Sequence, residues 1–300
     1  MYKNVLLVGA SGDVGKSLLP DLLADPDFQV TILSRTDSSV NFASNINVIR
    51  VNYSDKLALI KALTGQDIVI STVGGEALMK NFDKTLIEAS LEAGVKWFLP
   101  SEYGFDLDDP AASSTPINIP LLENIELLKQ NQSRMAYTFI STGAFLDWGL
   151  DNGFLGFDIP NRAVTLYDDG KHLVSGTLLK NLGKAVVAIL HHPELTLNQR
   201  ICLADTTFTQ EEVLNLLKKY TDNKWTVKHI TTEEVLKQAQ EDWEKDNWMD
   251  AYIAFVLAYA YNGKGMCNFE KKTSNKALGL ESITLEQVVK EAVQPKETNA

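Results

Sequence analysis

The first 35 residues constrain this chain more than any other stretch. Lys3-Asn4-Val5-Leu6-Leu7-Val8 is a short apolar run with strand character. Gly9-Ala10-Ser11-Gly12-Asp13-Val14-Gly15 follows at once, and Lys16 to Leu23 then reads as a helix. Gln29-Val30-Thr31-Ile32-Leu33 reads as a second strand, ending at Ser34-Arg35. A glycine turn between a strand and a helix, inside a βαβ unit of about 30 residues, is the context that marks a dinucleotide site. Gly9 lets the chain turn sharply, Gly12 lets a pyrophosphate approach the backbone, and Gly15 lets the helix pack on the sheet. The helix start offers N–H groups and a positive dipole to phosphate, and Asp13 and Val14, leading into it, are further cofactor candidates. The spacing is G-x-x-G-x-x-G, looser than the common G-x-G-x-x-G, so its flanking elements carry the argument.

The end of the second strand tells the dinucleotides apart. An acidic residue there suits the ribose 2′-hydroxyl of NAD, and an arginine suits the 2′-phosphate of NADP. This chain has Ser34-Arg35, with Asp37 two residues on in a loop. A guanidinium forks onto a phosphate, and the hydroxyls of Ser34 and Ser11 add hydrogen bonds. The expected cofactor is NADP(H).

With 300 residues, 45% of them hydrophobic, the chain has room for a large core and one or two domains. Its net charge of −11 repels nucleic acid backbones and anionic membranes, so neither is an expected partner. Cys202 and Cys267 are the two cysteines, far apart and without a CxxC pair, which fits a reduced, cytoplasmic protein. The first strand begins directly after the N-terminus, so no leader peptide is expected, and no apolar run reaches membrane-spanning length. His172, His191, His192 and His229 show no metal-ligand spacing, and no metal is expected.

Further along, Asn47 to Val51 reads as a third strand, and Ser54-Asp55 caps a helix to about Leu63. Asp67 to Val73 is a fourth strand ending in Gly74-Gly75. Ligands of open α/β sheets sit at the carboxyl ends of strands, which makes Thr72, Val73 and Gly74 candidates for the adenosine and ribose side. Asn81 to Ala93 is an amphipathic helix ended by Gly94, and Val95 to Leu99 is a fifth strand running into Pro100-Ser101-Glu102-Tyr103-Gly104. This alternation predicts an α/β, Rossmann-type, doubly wound parallel sheet. After Leu150 the pattern changes to short strands, turns and aromatic-rich helices. The expected division is a cofactor-binding domain over 1–150 and a smaller α+β substrate-binding part over 151–300.

Three segments give this chain a family resemblance: the Gly9–Gly15 turn with Ser34-Arg35, Val95-Lys96-Trp97-Phe98-Leu99-Pro100-Ser101-Glu102-Tyr103-Gly104, and Tyr137 to Leu150. Together with Asp169-Gly170-Lys171 to Gly183-Lys184-Ala185, they resemble the NmrA-like and isoflavone reductase-like branch of the atypical short-chain dehydrogenases. The likeness is strongest to its fungal, pigment-type oxidoreductases. It implies NADP(H)-dependent reduction of a small aromatic or secondary-metabolite substrate. It also implies an alternative, because NmrA-like proteins include regulators that sense NADP(H) without turnover and contact a protein partner.

The resemblance further implies a lysine at the start of the helix after the Pro-Ser-Glu element, holding cofactor and moving a proton. Leu122 falls at that position, and the Tyr-x-x-x-Lys pair of ordinary short-chain dehydrogenases is also missing. Tyr103, Glu123 and His172 are the replacement candidates. Tyr103 leads, as a phenol donates a proton if an adjacent cation lowers its pKa; a packing role fits it as well. The loop Thr142-Gly143-Ala144-Phe145-Leu146-Asp147-Trp148 is implied to cover the nicotinamide, with Thr142 and Gly143 on the cofactor. Tyr103, Phe145, Trp148 and His172 would then line the substrate pocket, with Phe145 and Trp148 as flat apolar walls.

Overall fold

The computed structural model describes residues 2–222 and 224–294; the polar tail from Pro295, read from sequence as frayed, lies outside them. The chain opens with β1 (Asn4–Val8), α1 (Asp13–Ala24), β2 (Gln29–Arg35), β3 (Asn47–Val51), α2 (Lys56–Leu63) and β4 (Ile68–Ser71). Next come α3 (Glu76–Met79), α4 (Phe82–Ala93), β5 (Trp97–Leu99), α5 (Ile119–Gln130), β6 (Ala136–Ser141), β7 (Ala144–Phe145) and α6 (Leu146–Asn152). They are followed by β8 (Phe157–Asp158), β9 (Ala163–Tyr167), β10 (Val174–Thr177), α7 (Leu182–His191), α8 (Pro193–Thr196) and β11 (Gln199–Cys202). The last elements are β12 (Thr206–Phe208), α9 (Gln210–Tyr220), β13 (Thr226–Ile230), α10 (Thr232–Glu244), α11 (Trp248–Tyr261) and α12 (Leu285–Ala292).

The chain divides into two compact units built from interleaved segments. One holds 1–103, 116–141 and 180–201; the other holds 104–115, 142–179 and 202–300. A single cut after residue 150 does not describe this arrangement, because α7 and β11 come late in sequence yet belong with the first unit. The cause is visible in β11, which hydrogen-bonds beside β6 at the edge of the main sheet.

In the first unit seven strands lie in the order β11-β6-β5-β4-β1-β2-β3, and the pairs from β6 to β3 are parallel. The doubly wound α/β sheet expected from sequence is therefore present. The central strands are buried on both faces, as strands covered by helices must be: Val5 to Val8, Ile68 to Ile70 and Trp97 to Leu99 are all enclosed. Asp55 caps α2 by accepting from the N–H of Ala58, and Gly94 ends α4 with a left-handed φ of +80°.

In the second unit two three-stranded sheets, β12-β10-β7 and β13-β9-β8, accompany α6 and α9 to α12. Its own core gathers Leu146, Phe157, Val174, Phe208, Leu217, Tyr261 and Val289. Thr209–Glu212 and Thr231–Glu234 form capping boxes that start α9 and α10. Among the described residues no helix is long and apolar enough to cross a membrane.

Candidate functional site

The order β4-β1-β2 places three strand ends side by side, and the residues read as ligands of the diphosphate, the 2′-phosphate and the adenosine lie at them. Gly9 to Gly15 leave β1, Ser34 and Arg35 close β2, and Thr72 to Gly74 leave β4. Thr72 joins β1 and β4 at that end: its N–H and its hydroxyl both donate to the Val8 carbonyl, at 2.9 and 2.7 Å. Val73 is buried, and its carbonyl accepts from the Ser101 hydroxyl at 2.7 Å.

The three glycines of the turn have different physical reasons to be glycine. Gly9 has a φ of +85°, and a Cβ there would stand 2.7 Å from the Thr72 backbone. At Gly15 a Cβ would stand 2.3 Å from the Gly9 carbonyl oxygen and 2.6 Å from the Ala10 Cα. The fold itself thus requires both. Gly12 is different, because its φ is −77° and the nearest atom to an added Cβ is the Gly9 carbonyl at an ordinary 3.5 Å. The protein leaves room for a side chain at Gly12 and has none. Gly12 is also the N-cap of α1, and no side chain caps that helix. An uncapped helix start with an open approach over Gly12 fits a bound diphosphate. Ser11, Asp13 and Val14 complete this turn and first helical stretch.

Ser34 is buried, whereas the Arg35 side chain is 62% exposed and lies 3.5 Å from Asp37. Beside them Tyr53 donates to the Leu33 carbonyl at 3.1 Å and stacks on Phe82, ring centroids 4.4 Å apart. Burial pushes the Tyr53 phenol above its ordinary pKa.

Behind this edge lies a group that sequence reading passed over. Asp83, in the first turn of α4, is 2% exposed. It accepts from the Ser71 hydroxyl at 2.5 Å and from the Ser101 N–H at 2.8 Å. Desolvation raises its pKa to about 6 against the lowering effect of those two hydrogen bonds. Tyr103 donates to the Ser71 carbonyl at 3.2 Å. Its phenol is pushed well above the ordinary range, first by desolvation, then by Asp83 and Glu102. The adjacent cation that proton donation by Tyr103 called for is replaced here by two carboxylates. Glu102 itself faces Arg200 at 3.4 Å, with side-chain exposures of 2% and 6%.

Leu122 sits in the first turn of α5, so the helix start carries an apolar group at the position of the expected lysine. Glu123, next to it, is exposed and paired with Lys84 at 3.2 Å. That pair occupies the carboxylate that sequence offered as a replacement base.

In the second unit the close approach of β10 explains Gly143: its φ is +61° and a Cβ would stand 2.1 Å from the Ser175 carbonyl. Thr142 is buried, and its carbonyl accepts from the Thr177 hydroxyl at 2.8 Å. Two of the residues read as substrate-lining, Trp148 and His172, each line a cavity of their own. Trp148 lines a cavity of about 530 Å³ with Phe154, Tyr167, Ile253 and Leu257. His172 lines a separate one of about 300 Å³ with Gly263, Gly265 and Cys267. The cause is local: Trp148 turns toward Phe154, ring centroids 5.3 Å apart, while the His172 loop folds onto Gly263. Phe145 pairs with Thr177 between β7 and β10. Burial pushes the Cys267 thiol up to about 12, so it stays protonated.

Two histidines find acidic company: His192 lies 3.1 Å from Glu194, and His191 meets two aspartates. Ligand atoms of His191, Asp25 and Asp27 lie within 4.8 Å of one another, and His191 is 2.8 Å from Asp25. Helix α7 packing on α1 brings them together, a contact that spacing in the sequence does not show.

A glycine turn on a parallel sheet, with an open helix N-terminus and a serine–arginine strand end, defines a Rossmann-type α/β fold. The model of the NmrA-like family matches residues 1–292, and the chain belongs to that family. It is 34% identical over 297 residues to the oxidoreductase aprR of Aspergillus flavus, covering 96% of this chain and 98% of that one. It is 28% identical over 288 residues to the phenylcoumaran benzylic ether reductase PT1 of Pinus taeda, 89% of each chain. Among solved structures, the leucoanthocyanidin reductase of Vitis vinifera in binary complex with NADPH superposes with a TM-score of 0.78. The identity there is 21%, covering 96% of this chain and 99% of that one.

Proposed function

We propose that this protein is an NADPH-dependent oxidoreductase that reduces a small aromatic or secondary-metabolite substrate. The observation that carries the reading is Gly12, glycine where the protein's own packing does not ask for it, at the open start of α1. The names of the fungal and plant relatives, an oxidoreductase and a reductase, support the reaction class. The NADPH complex of the grape enzyme supports the cofactor.

The bound cofactor supplies a hydride. The start of α1 with Gly9, Ser11, Gly12, Asp13, Val14 and Gly15 holds the diphosphate, and Ser34 and Arg35 bind the 2′-phosphate. Thr72, Val73 and Gly74 line the adenosine side, and Thr142 and Gly143 lie along the nicotinamide. The aromatic cavity of Trp148, Phe154 and Tyr167 suits a flat, mostly apolar substrate. Tyr103 acts as a neutral hydrogen-bond donor rather than as a strong acid, since burial, and after it the nearby carboxylates, raise its phenol.

Equilibrium titration with NADPH, NADP+ and NADH, beside an Arg35→Ala variant, tests the site. NADPH should bind at least tenfold more tightly than NADH, and the variant should erase the difference. Equal binding of the two cofactors, or none, would overturn the assignment. Turnover is tested by deuteride transfer from NADPH labelled at the nicotinamide C4 to a product in a metabolite extract. A second reading, cofactor binding without turnover in a regulator that contacts a protein partner, is favoured by Leu122 in the place of the expected lysine. Tight NADPH binding with no label transfer would decide for it.

A further inference from the structure

Arg50 lies on β3 directly across the ladder from Ser34 of β2. In parallel strands such register partners project on the same face, so the guanidinium stands beside the strand end that carries Arg35. Its contacts are unusual for a strand arginine. Nη1 donates to the Ser38 carbonyl at 2.9 Å, and Nη2 donates to the Val40 carbonyl at 2.6 Å. Nη1 also lies 3.4 Å from both the Arg35 carbonyl and the Ser34 hydroxyl. One side chain thus ties the loop after β2 to the edge of the sheet at four points.

The charge of Arg50 matters as much as its reach. Arg35 is paired with Asp37, but among the described residues no carboxylate neutralises Arg50. Its acceptors are three carbonyls and a hydroxyl, and a guanidinium has five N–H groups. Nε and one Nη2 proton therefore stay available to an anion, and Arg50 is exposed. An unneutralised cation has been placed within hydrogen-bond range of the Ser34 hydroxyl.

We propose that Arg50 sets the preference for a 2′-phosphorylated adenosine: it holds the Arg35–Val40 loop in its binding shape and adds a second positive charge at the Ser34 hydroxyl. This rests on the reading of Ser34 and Arg35 as the phosphate-binding pair. Arg50 is a positioning and specificity-determining residue, distant from the reacting carbon, and its loss should leave the rest of the cofactor site intact.

The test is titration of wild type, Arg50→Met, Arg50→Lys and Arg35→Ala with NADPH and NADH, repeated with 2′,5′-ADP and ADP as probes of the adenosine end. Arg50→Met should weaken NADPH and 2′,5′-ADP at least tenfold and leave NADH and ADP within twofold. Arg50→Lys keeps the charge but not the fork that reaches both carbonyls, so it should recover only part of the loss. Equal weakening of both cofactors would mean a purely structural role and would overturn the proposal, as would an unchanged ratio in folded Arg50→Met. If Arg50→Met does not fold by circular dichroism, the lysine variant decides alone: full retention of the wild-type ratio sinks the proposal. Should wild type itself show no preference and Arg35→Ala change nothing, the phosphate-binding pair fails and this inference with it. Should Arg35→Ala erase the preference while Arg50→Met keeps it, only the inference fails.

Discussion

Replacing Asp83 by asparagine should stabilise the protein above neutral pH, and the gain should shrink as the pH falls. Asp83 is 2% exposed, accepts one hydroxyl and one backbone N–H, and has no basic group among the influences on its pKa. Burial lifts its pKa from 3.8 to about 6. The native state therefore holds the proton more tightly than the unfolded chain does. Between these two values the unfolded chain ionises while the native state does not, so stability falls as the pH rises through that window and is level above it. The full loss is ~3 kcal/mol by proton linkage, and at pH 5 about half of it is present. Asparagine has the same shape, and its amide oxygen can accept from the Ser101 N–H while its amide nitrogen donates to the Ser71 hydroxyl. Any fixed cost of the swap is the same at both pH values and cancels on subtraction. Urea unfolding of both proteins at pH 8 and pH 5 should show the variant's advantage to be larger at pH 8 by about 1 kcal/mol. An advantage that does not change with pH, or that grows toward pH 5, would refute a buried carboxyl ionising near pH 6.

Three further predictions concern the glycine turn and the buried groups Glu102 and Tyr103. Gly12→Ala should keep the wild-type melting temperature within a degree or two and lose NADPH binding, whereas Gly15→Ala should lower stability by several kcal/mol, because its Cβ meets the Gly9 backbone; calorimetry with cofactor titration separates the two. Arg200→Met leaves Glu102 buried without its guanidinium and should cost about 3–5 kcal/mol, part of it recovered by adding Glu102→Gln, as read by denaturant midpoints. Tyr103→Phe removes a hydrogen bond to the Ser71 carbonyl and should cost about 1 kcal/mol without shifting any acidic limb of a pH–rate profile, since that phenol does not titrate near neutrality; a shifted limb would return Tyr103 to acid catalysis.

The first unit was largely legible because its signals are local. Strand β3 begins and ends at Asn47 and Val51 as read, and Asp55 and Gly94 bound their helices as capping chemistry requires. Helix α12 was missed although Thr284 and Gln287 form a capping box before it. Its apolar stripe, Leu285, Val288, Val289 and Ala292, has helical spacing, so periodicity and capping box were both present in the sequence to be read. Membership of β11 in the main sheet, by contrast, was illegible. Strand pairing is a contact across sequence, and no residue of Gln199–Cys202 announces which neighbour it takes.

The site divides along the same line. Gly9, Gly12 and Gly15 were readable because a turn's requirements fall on consecutive residues. What sequence could not do was separate the glycines the fold needs from the one it does not, since all three look alike until the backbone around each is placed. Asp83 and Arg50 were invisible for the converse reason. Each is an ordinary charged residue in its own element, and its meaning comes from partners 12 to 18 and 10 to 16 residues away. Both act on the strand ends that carry the candidate ligands, Asp83 by joining Ser71 to Ser101 and Arg50 by joining β3 to the Arg35 loop. Recognition residues can therefore be sought in the turn, but the groups that hold them in shape must be sought where strands are adjacent and sequence is not. On this argument Arg35→Ala should remove phosphate binding and leave the loop as it is, whereas Arg50→Met should loosen the loop first. Amide hydrogen exchange over Thr36 to Val40 should rise in the second variant alone, and equal exchange in the two would show that Arg50 does not hold the loop.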